Sequence, residues 1–350
     1  MRIAAVADFS IANSNYRARP LADLKQRGHS VSLIHIDNFD FRPLLEYDVV
    51  YFYRVRDQIA RQAMQEVRDA GIGVVWDDDD NHSLVLAHDP REARKVTRGA
   101  GKGSGDRHRD VSRALKLADV VTTTSAPIAA YFEQAGAERV EVIENYLPPL
   151  YTAAVPAIGL GVVVVGWVGG SEHQADVERL GLAGVATRLL DRHPRIYFTT
   201  VGVDLGIRSD RYEYERHVRY DLLGNYVADF DIGLAPLTDS AFNRARSDVK
   251  VKEYAYARVP WLASPVGPYL GLGEREGGRL VPDDGWEQAI EELFLDEYRR
   301  RVLALRGRRW AETKTALSNL HVWEAVILEA AERARARKAA ASGTAAAPAR

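Results

Sequence analysis

The sequence predicts an α/β protein of two doubly wound domains, each a parallel sheet covered by helices on both faces. Three observations carry this. Short β-branched runs alternate with amphipathic stretches along most of the chain, the pattern of strand–helix–strand units. The alternation breaks once, at a proline-rich stretch, and then restarts. The 350 residues are enough for two ordinary domains.

In the first half, strands are expected at residues 2–6, 30–35, 49–53, 73–76, 120–123 and 140–143, all rich in β-forming residues. Helices are expected between them at 19–27, 57–70, 109–118 and 126–134. The stretch "NYLPPLYTAAVPA", with Pro148, Pro149 and Pro156, reads as a linker with its hinge near 146–157. Strands then follow at 162–167, 196–201, 232–234, 260–263 and 279–281, with helices at 175–190, 248–257 and 286–293. Residues 88–110 are basic, glycine-rich and without periodicity, and are expected to be a disordered or functional loop. The low-complexity end, "RARKAAASGTAAAPAR", is expected to fray.

Composition sets further bounds. Hydrophobic residues make up 46% and charged residues 27%, a globular balance. The net charge of −2 gives no bulk electrostatic case for binding nucleic acid. Absence of cysteine excludes disulfides, thiolate metal sites and cysteine nucleophiles. The N-terminus reads as a first strand and not as a signal peptide. The longest apolar run, "IGLGVVVVGWVGG", is too short and glycine-rich to span a membrane. A cytoplasmic protein is expected, peripheral to the membrane at most, since two weakly basic segments at 91–109 and 333–338 offer only modest surface affinity.

Several motifs bear on chemistry. "GAGKGSG" (Gly99 to Gly105) is no phosphate loop, because Gly103 follows Lys102 and no strand leads into it. "SDVK" (Ser247 to Lys250) lacks the partner motifs of a serine β-lactamase. "WDDDDN" (Trp76 to Asn81) places four carboxylates at a strand's C-terminal end, the ligand-binding edge of doubly wound sheets. Mutual repulsion requires a cation, a basic group or water there, and such crowding can raise a carboxyl pKa toward that of a base. In "GWVGGSEHQAD", Gly169 and Gly170 would let a ligand approach the backbone, and Ser171 could cap the next helix, with His173 beside it. In "RSDVKVKEYAYARVP", Ser247 or Asp248 could cap a helix starting near Val249. Its N-terminus would attract an anion, with Lys250 in the first turn, Arg246 just outside, and Glu253 on the same face to bind a diol. Asn15, Tyr16 and Arg17 after strand one, and Arg54 after strand three, are candidates for the other domain's ligand edge.

Taken in order, these segments resemble the GT-B fold glycosyltransferases, in particular the group 1, family 4-like enzymes. The resemblance covers roughly residues 1–330 and rests on "NYRARPLADLKQRGHSV", "ADVVTTTSAPIAAYFEQAG", "VEVIENYL", "VVGWVGGSEHQADVERL" and, most specifically, "DFDIGLAPLTDSAFNRARSDVKVKEYAYARVPWLAS". It implies two Rossmann-like domains facing a cleft: an acceptor domain at 1–150, a nucleotide-sugar domain at 151–320, a helix at 321–336 crossing back to the first domain, and a disordered tail at 337–350. It implies transfer of a sugar from a nucleotide-diphosphate sugar, UDP- or GDP-linked, to a hydroxyl on a saccharide, lipid-linked or polymeric acceptor, metal-independent and retaining, with no further cofactor. Gly169, Gly170, Ser247, Asp248, Val249 and Glu253 would bind the donor. Lys250, Arg246, His173, Asp79 and Asp80 would serve catalysis, and Asn15, Tyr16, Arg17, Arg54 and His82 the acceptor. An inverting reaction would need Asp79, Asp80 or His82 as base.

The chain departs from the pattern in three places. The family's donor motif has two glutamates with seven residues between them; the second falls on Glu253 and the first on Ala245. The usual arginine–lysine diphosphate clamp falls near Trp167 and Glu172. The turn after strand one, "IANSN", is not glycine-rich. The loss at Ala245 leaves open a non-catalytic nucleotide-sugar binder on the same scaffold; a GT-B epimerase or phosphorylase, or transfer to protein or modified DNA, are further alternatives.

Overall fold

The computed structural model describes residues 1–38, 42–81, 84, 104–152 and 161–344. They fall into two compact units, one within Met1–Ser83, Arg94–Pro148 and Asn319–Arg350, the other within Leu84–Ala93 and Pro149–Ser318. The expected hinge and loop lie in part outside the described residues.

The first unit holds a six-stranded sheet: β1 (Arg2–Ala7), β2 (Ser30–His35), β3 (Val49–Tyr53), β4 (Gly73–Asp77), β5 (Val120–Thr123) and β6 (Val140–Val142). All pairings are parallel, in the order β2-β1-β3-β4-β5-β6. β3, β4 and β5 are buried along their whole length, as parallel strands covered on both faces must be. The helix Gln58–Asp69 starts at Asp57, whose carboxylate accepts from the Ala60 N–H at 2.9 Å, and it buries Ala60, Ala63, Met64 and Val67 at helical spacing. A helix spans Ser104–Leu115, so the last seven residues of the expected loop, 104–110, are helical.

The closing helix, Leu320–Thr344, belongs to this unit and packs across β3, β4 and β5. It buries Trp323, Ile327, Ala330 and Ala334, one stripe at helical spacing. Gly73 permits the close approach, because a Cβ there would stand 2.9 Å from the backbone carbon of Ala330. The helix runs eight residues past the expected end at 336. Alanine favours helix intrinsically, and Arg337 ties the last turns down by donating to the carbonyls of Arg68 at 3.1 Å and Ile72 at 3.2 Å while pairing with Asp119.

The second unit holds β7 (Val163–Val168), β8 (Ile196–Val201), β9 (Tyr212–Glu215), β10 (Ile232–Ala235), β11 (Trp261–Ala263) and β12 (Gly278–Leu280). They pair in parallel in the order β12-β11-β10-β7-β8-β9. Its core joins β7, β8 and β10 to the helices Leu182–Arg192 and Trp286–Leu295 through Val165, Phe198, Ile232, Leu189 and Ile290. The single helix expected at 175–190 is two, Gln174–Arg179 and Leu182–Arg192, parted by Gly181 in the left-handed region (φ 63°). β9 and the helices Tyr220–Val227, Ala241–Arg244 and Glu297–Glu312 are additions to the expected set.

Strand order reverses beside the first strand of each sheet, between β1 and β3 and between β7 and β10. Loops leaving the paired strands diverge there to opposite faces and open a crevice at the carboxyl ends. Among the described residues, no helix is long and apolar enough to cross a membrane.

Candidate functional site

In the second unit, the crevice between β7 and β10 gathers most of the donor-side residues expected from sequence. β7 runs into Gly169 and Gly170, a short turn at Ser171–His173, and the helix Gln174–Arg179. His173, not Ser171, holds the cap position of that helix, without a side-chain capping bond. The loops after β7 and β8 touch through bare backbone: a Cβ on Gly202, itself left-handed at φ 85°, would lie 1.9 Å from the Gly169 carbonyl oxygen.

β10 leads into the helix Ala241–Arg244, capped by Ser240, whose hydroxyl accepts from the Asn243 N–H at 3.1 Å, and then into the helix Val249–Tyr256. Tyr254 locks that second helix to the crevice. Its hydroxyl accepts from the Val168 N–H at 3.1 Å and donates to the Leu234 carbonyl at 2.8 Å, bridging the ends of β7 and β10. Gly233 makes room, since a Cβ there would meet the Tyr254 ring at 2.6 Å. The charged segment therefore leads into a buried one because the helix projects its first turn from the edge and packs its body on the sheet.

The charges are paired within that first turn. Asp248 takes the cap position, but its carboxylate turns to the buried Lys252 ammonium at 2.6 Å instead of capping. The Lys250 ammonium donates to Glu253 at 2.8 Å, and the Glu253 side chain is 1% exposed. Arg246 lies over the Phe242 ring at 5.1 Å and donates through Nη2 to Glu172 Oε1 at 3.2 Å. The same Nη2 stands 3.3 Å from His173 Nε2. Burial works to raise the Glu172 carboxyl, but His173 and Arg246 outweigh it and hold the group down at about 2.

Two residues escaped the sequence reading. Asp176 is wholly buried. One of its oxygens accepts from the Thr238 N–H at 3.0 Å, the Thr238 hydroxyl at 2.6 Å and the Asn243 amide at 2.8 Å, and the other faces His173 Nδ1 at 3.2 Å. One carboxylate thus joins the segments after β7 and β10 and orients the imidazole. Its only sequence signal was its place three residues after His173, on one helical face. Tyr269 is buried where the fields of Arg246, Asp248, Asp176 and Glu253 meet, and burial pushes its hydroxyl up. No motif marks it.

The first unit's residues sort differently. Arg17, expected to face a ligand, is fully buried. Its guanidinium pairs with Asp77, 3.1 Å from Nε to either carboxylate oxygen, and donates to the Ile143 carbonyl. Tyr51 and Thr122 donate to the same carboxylate. Asn15 and Tyr16 are buried as well, and the Asn15 amide is spent on the Ala12 carbonyl at 2.9 Å. The aspartate run meets basic groups from its own chain: Asp78 pairs with Arg56 at 3.0 Å, and Asp79 and Asp80 share Arg54 at 2.6 and 2.5 Å. Arg54 is in the left-handed region (φ 55°), uncommon for a residue with a side chain. Asp79 also accepts from Tyr53 at 2.8 Å and Asn13 at 2.9 Å. Burial raises the Asp79 carboxyl, Arg54 opposes this, and Asp80 and Asp78 add to it. His82 lies outside the described residues. Among the described residues, no group of three or more potential ligands is arranged to hold a metal ion.

No protein-family model and no curated protein matches the chain. Solved structures do. Sucrose-phosphate synthase of Thermosynechococcus elongatus is 16% identical with a TM-score of 0.63, over 97% of this chain and 100% of that one. HepE of Anabaena, in complex with UDP, is 16% identical with a TM-score of 0.61, over 93% and 99%. The catalytic domain of starch synthase IV from Arabidopsis thaliana, bound to ADP and acarbose, is 10% identical with a TM-score of 0.64, over 95% and 99%. These likenesses establish the fold: the chain has the two-domain GT-B architecture of glycosyltransferases.

Proposed function

We propose that the chain is a glycosyltransferase that moves a sugar from a nucleotide-diphosphate sugar, bound in the second unit, to an acceptor hydroxyl served by the first. The observation that carries this reading is the convergence of Gly169, Gly170, His173 and Arg246 with the first turn of Val249–Tyr256 at the β7/β10 reversal. Glycines admit a phosphate to the backbone, and the helix N-terminus with Arg246 and Lys250 attracts it. Glu253 presents a carboxylate to a ribose diol. HepE is seen with UDP and with UDP-glucose, which favours UDP as the first nucleotide to try; GDP is the next.

In the reaction, the bond between the sugar's anomeric carbon and the phosphate oxygen breaks, and a bond to the acceptor oxygen forms. Arg246, Lys250 and the helix amides stabilise the charge growing on the departing diphosphate. We read the transfer as metal-independent and retaining, with the leaving phosphate oxygen taking the acceptor proton. Asn13, Arg54, Asp79 and Asp80 at the β1/β3 reversal would meet a saccharide or lipid-linked acceptor. In an inverting reaction the raised carboxyl of Asp79 would be the base.

The test is a thermal-shift and calorimetric panel of UDP, GDP and ADP with their glucose esters, on the wild type and Glu253→Ala. A ligand at a hundred times its Kd stabilises by about 2.7 kcal/mol. Selective stabilisation that disappears in a folded Glu253→Ala variant is the expected result. Equal affinity in both, or no binding of any nucleotide, overturns the reading. A non-catalytic binder is the second reading, favoured by the buried, apolar Ala245 at the first glutamate's position; it gives the same binding but no transfer to any acceptor.

A further inference from the structure

Glu172 stands where a diphosphate site calls for cations. Its Oε1 is 3.2 Å from Arg246 Nη2 and 3.9 Å from His173 Nε2. The side chain folds back over the turn, and the turn is built to let it: a Cβ on Gly170 would lie 2.2 Å from Glu172 Oε2. Among the charges around it, Asp176 is engaged by His173, Thr238 and Asn243, and Lys252 by Asp248. Arg246 is held by Glu172 in this way, so an incoming phosphate that takes Arg246 competes with that carboxylate. An anion that takes Arg246 settles beside a carboxylate that is ionised at neutral pH.

Resting on the nucleotide-sugar reading above, we infer that Glu172 is a specificity-determining residue that favours the sugar-bearing nucleoside diphosphate over the spent one. The distal phosphate of a nucleotide sugar is linked on one side to the sugar and on the other to the second phosphate, and carries one negative charge. After transfer it is a terminal phosphate, whose second ionisation lies near pH 6, so at pH 7.5 it carries close to two. Repulsion from Glu172 acts on both forms but bears harder on the second. The donor is retained and the product diphosphate is expelled, so the site resists inhibition by its own product.

Calorimetry at pH 7.5 with UDP and UDP-glucose, or whichever nucleotide of the panel binds together with its glucose ester, tests this on the full chain. Glu172→Gln keeps the shape of the side chain and removes the charge. The expected result is a Kd for the free diphosphate lowered roughly fivefold to tenfold more than the Kd for the sugar ester, allowing for solvent screening at this partly exposed position. Glu172→Ala should shift the same ratio in the same direction. At pH 5.5, where the terminal phosphate is mostly singly ionised, the wild type's preference should shrink. An unchanged ratio in variants that bind both ligands overturns this inference and leaves the nucleotide reading standing. Failure of wild type and variants to bind any nucleotide overturns both.

Discussion

Asp77 and Arg17 form an ion pair without solvent on either side. Desolvating two charges is costly, and their attraction repays it only where every remaining donor and acceptor is met. Here Tyr51, Thr122 and the Ile143 carbonyl meet them. Removing one partner should therefore cost far more than removing both. Arg17→Met should lose about 3–5 kcal/mol in urea unfolding, while Arg17→Met with Asp77→Leu should recover most of it. The sequence displays the aspartates as a run. It does not display the arginines that answer them, because Arg17 comes from the short helix after β1 and Arg54 and Arg56 follow β3, and they meet the run only once β1, β3 and β4 pair. The expectation that Arg17 faced a ligand followed from its place after strand one and failed for that reason. The residues of the proposed anion site could be grouped from sequence because Arg246, Lys250 and Glu253 lie within one short segment whose helical register is local.

Among the elements, the buried strands were readable from their β-branched runs, and β9 was not. Tyr212–Glu215 reads YEYE and lies at the sheet's edge with most of its side chains exposed, so no apolar run marks it. The helix Glu297–Glu312 carries arginines around most of its surface and buries Leu303, Gly307 and Ala311, too small a stripe to register as periodicity. The closing helix was expected only from the family resemblance, and its end was set at 336 because low-complexity composition was taken for disorder. Arg337 is what composition could not show. Arg337→Ala removes a bond to the Arg68 helix carbonyl, one to the Ile72 carbonyl just before β4, and an ion pair, and should cost about 1–3 kcal/mol. The measurement is thermal unfolding, paired with hydrogen exchange of residues 337–344, whose protection should fall first.

Across the whole molecule, a set of surface carboxylates is held below the usual range by arginine and histidine partners. Hydrogen bonds from Arg188 and Arg192 lower Glu287, those from Arg192 and His193 lower Glu291, and that from Arg279 lowers Glu292. In the first unit, His29 and Arg27 lower Glu324, and Arg139 lowers Glu329. A carboxyl lowered by folding stabilises the native state above its unfolded value and loses that contribution as pH falls through its folded value. These pairs should therefore contribute in full above about pH 4.5 and lose that contribution progressively below. Glu324→Gln and Glu329→Gln should flatten the acid limb of a pH-resolved unfolding curve, and an unaltered limb would show that these pairs carry no linkage. The return of the closing helix to the first unit governs how the chain is made as well as how it stands. A domain ordinarily condenses as soon as it leaves the ribosome. Here the second unit, which lies within Leu84–Ala93 and Pro149–Ser318, is fully synthesised before the segment that covers β3, β4 and β5 has emerged. The first unit, begun earliest, is completed last, and during translation its sheet waits with one apolar face unclothed, a natural point of capture for a chaperone.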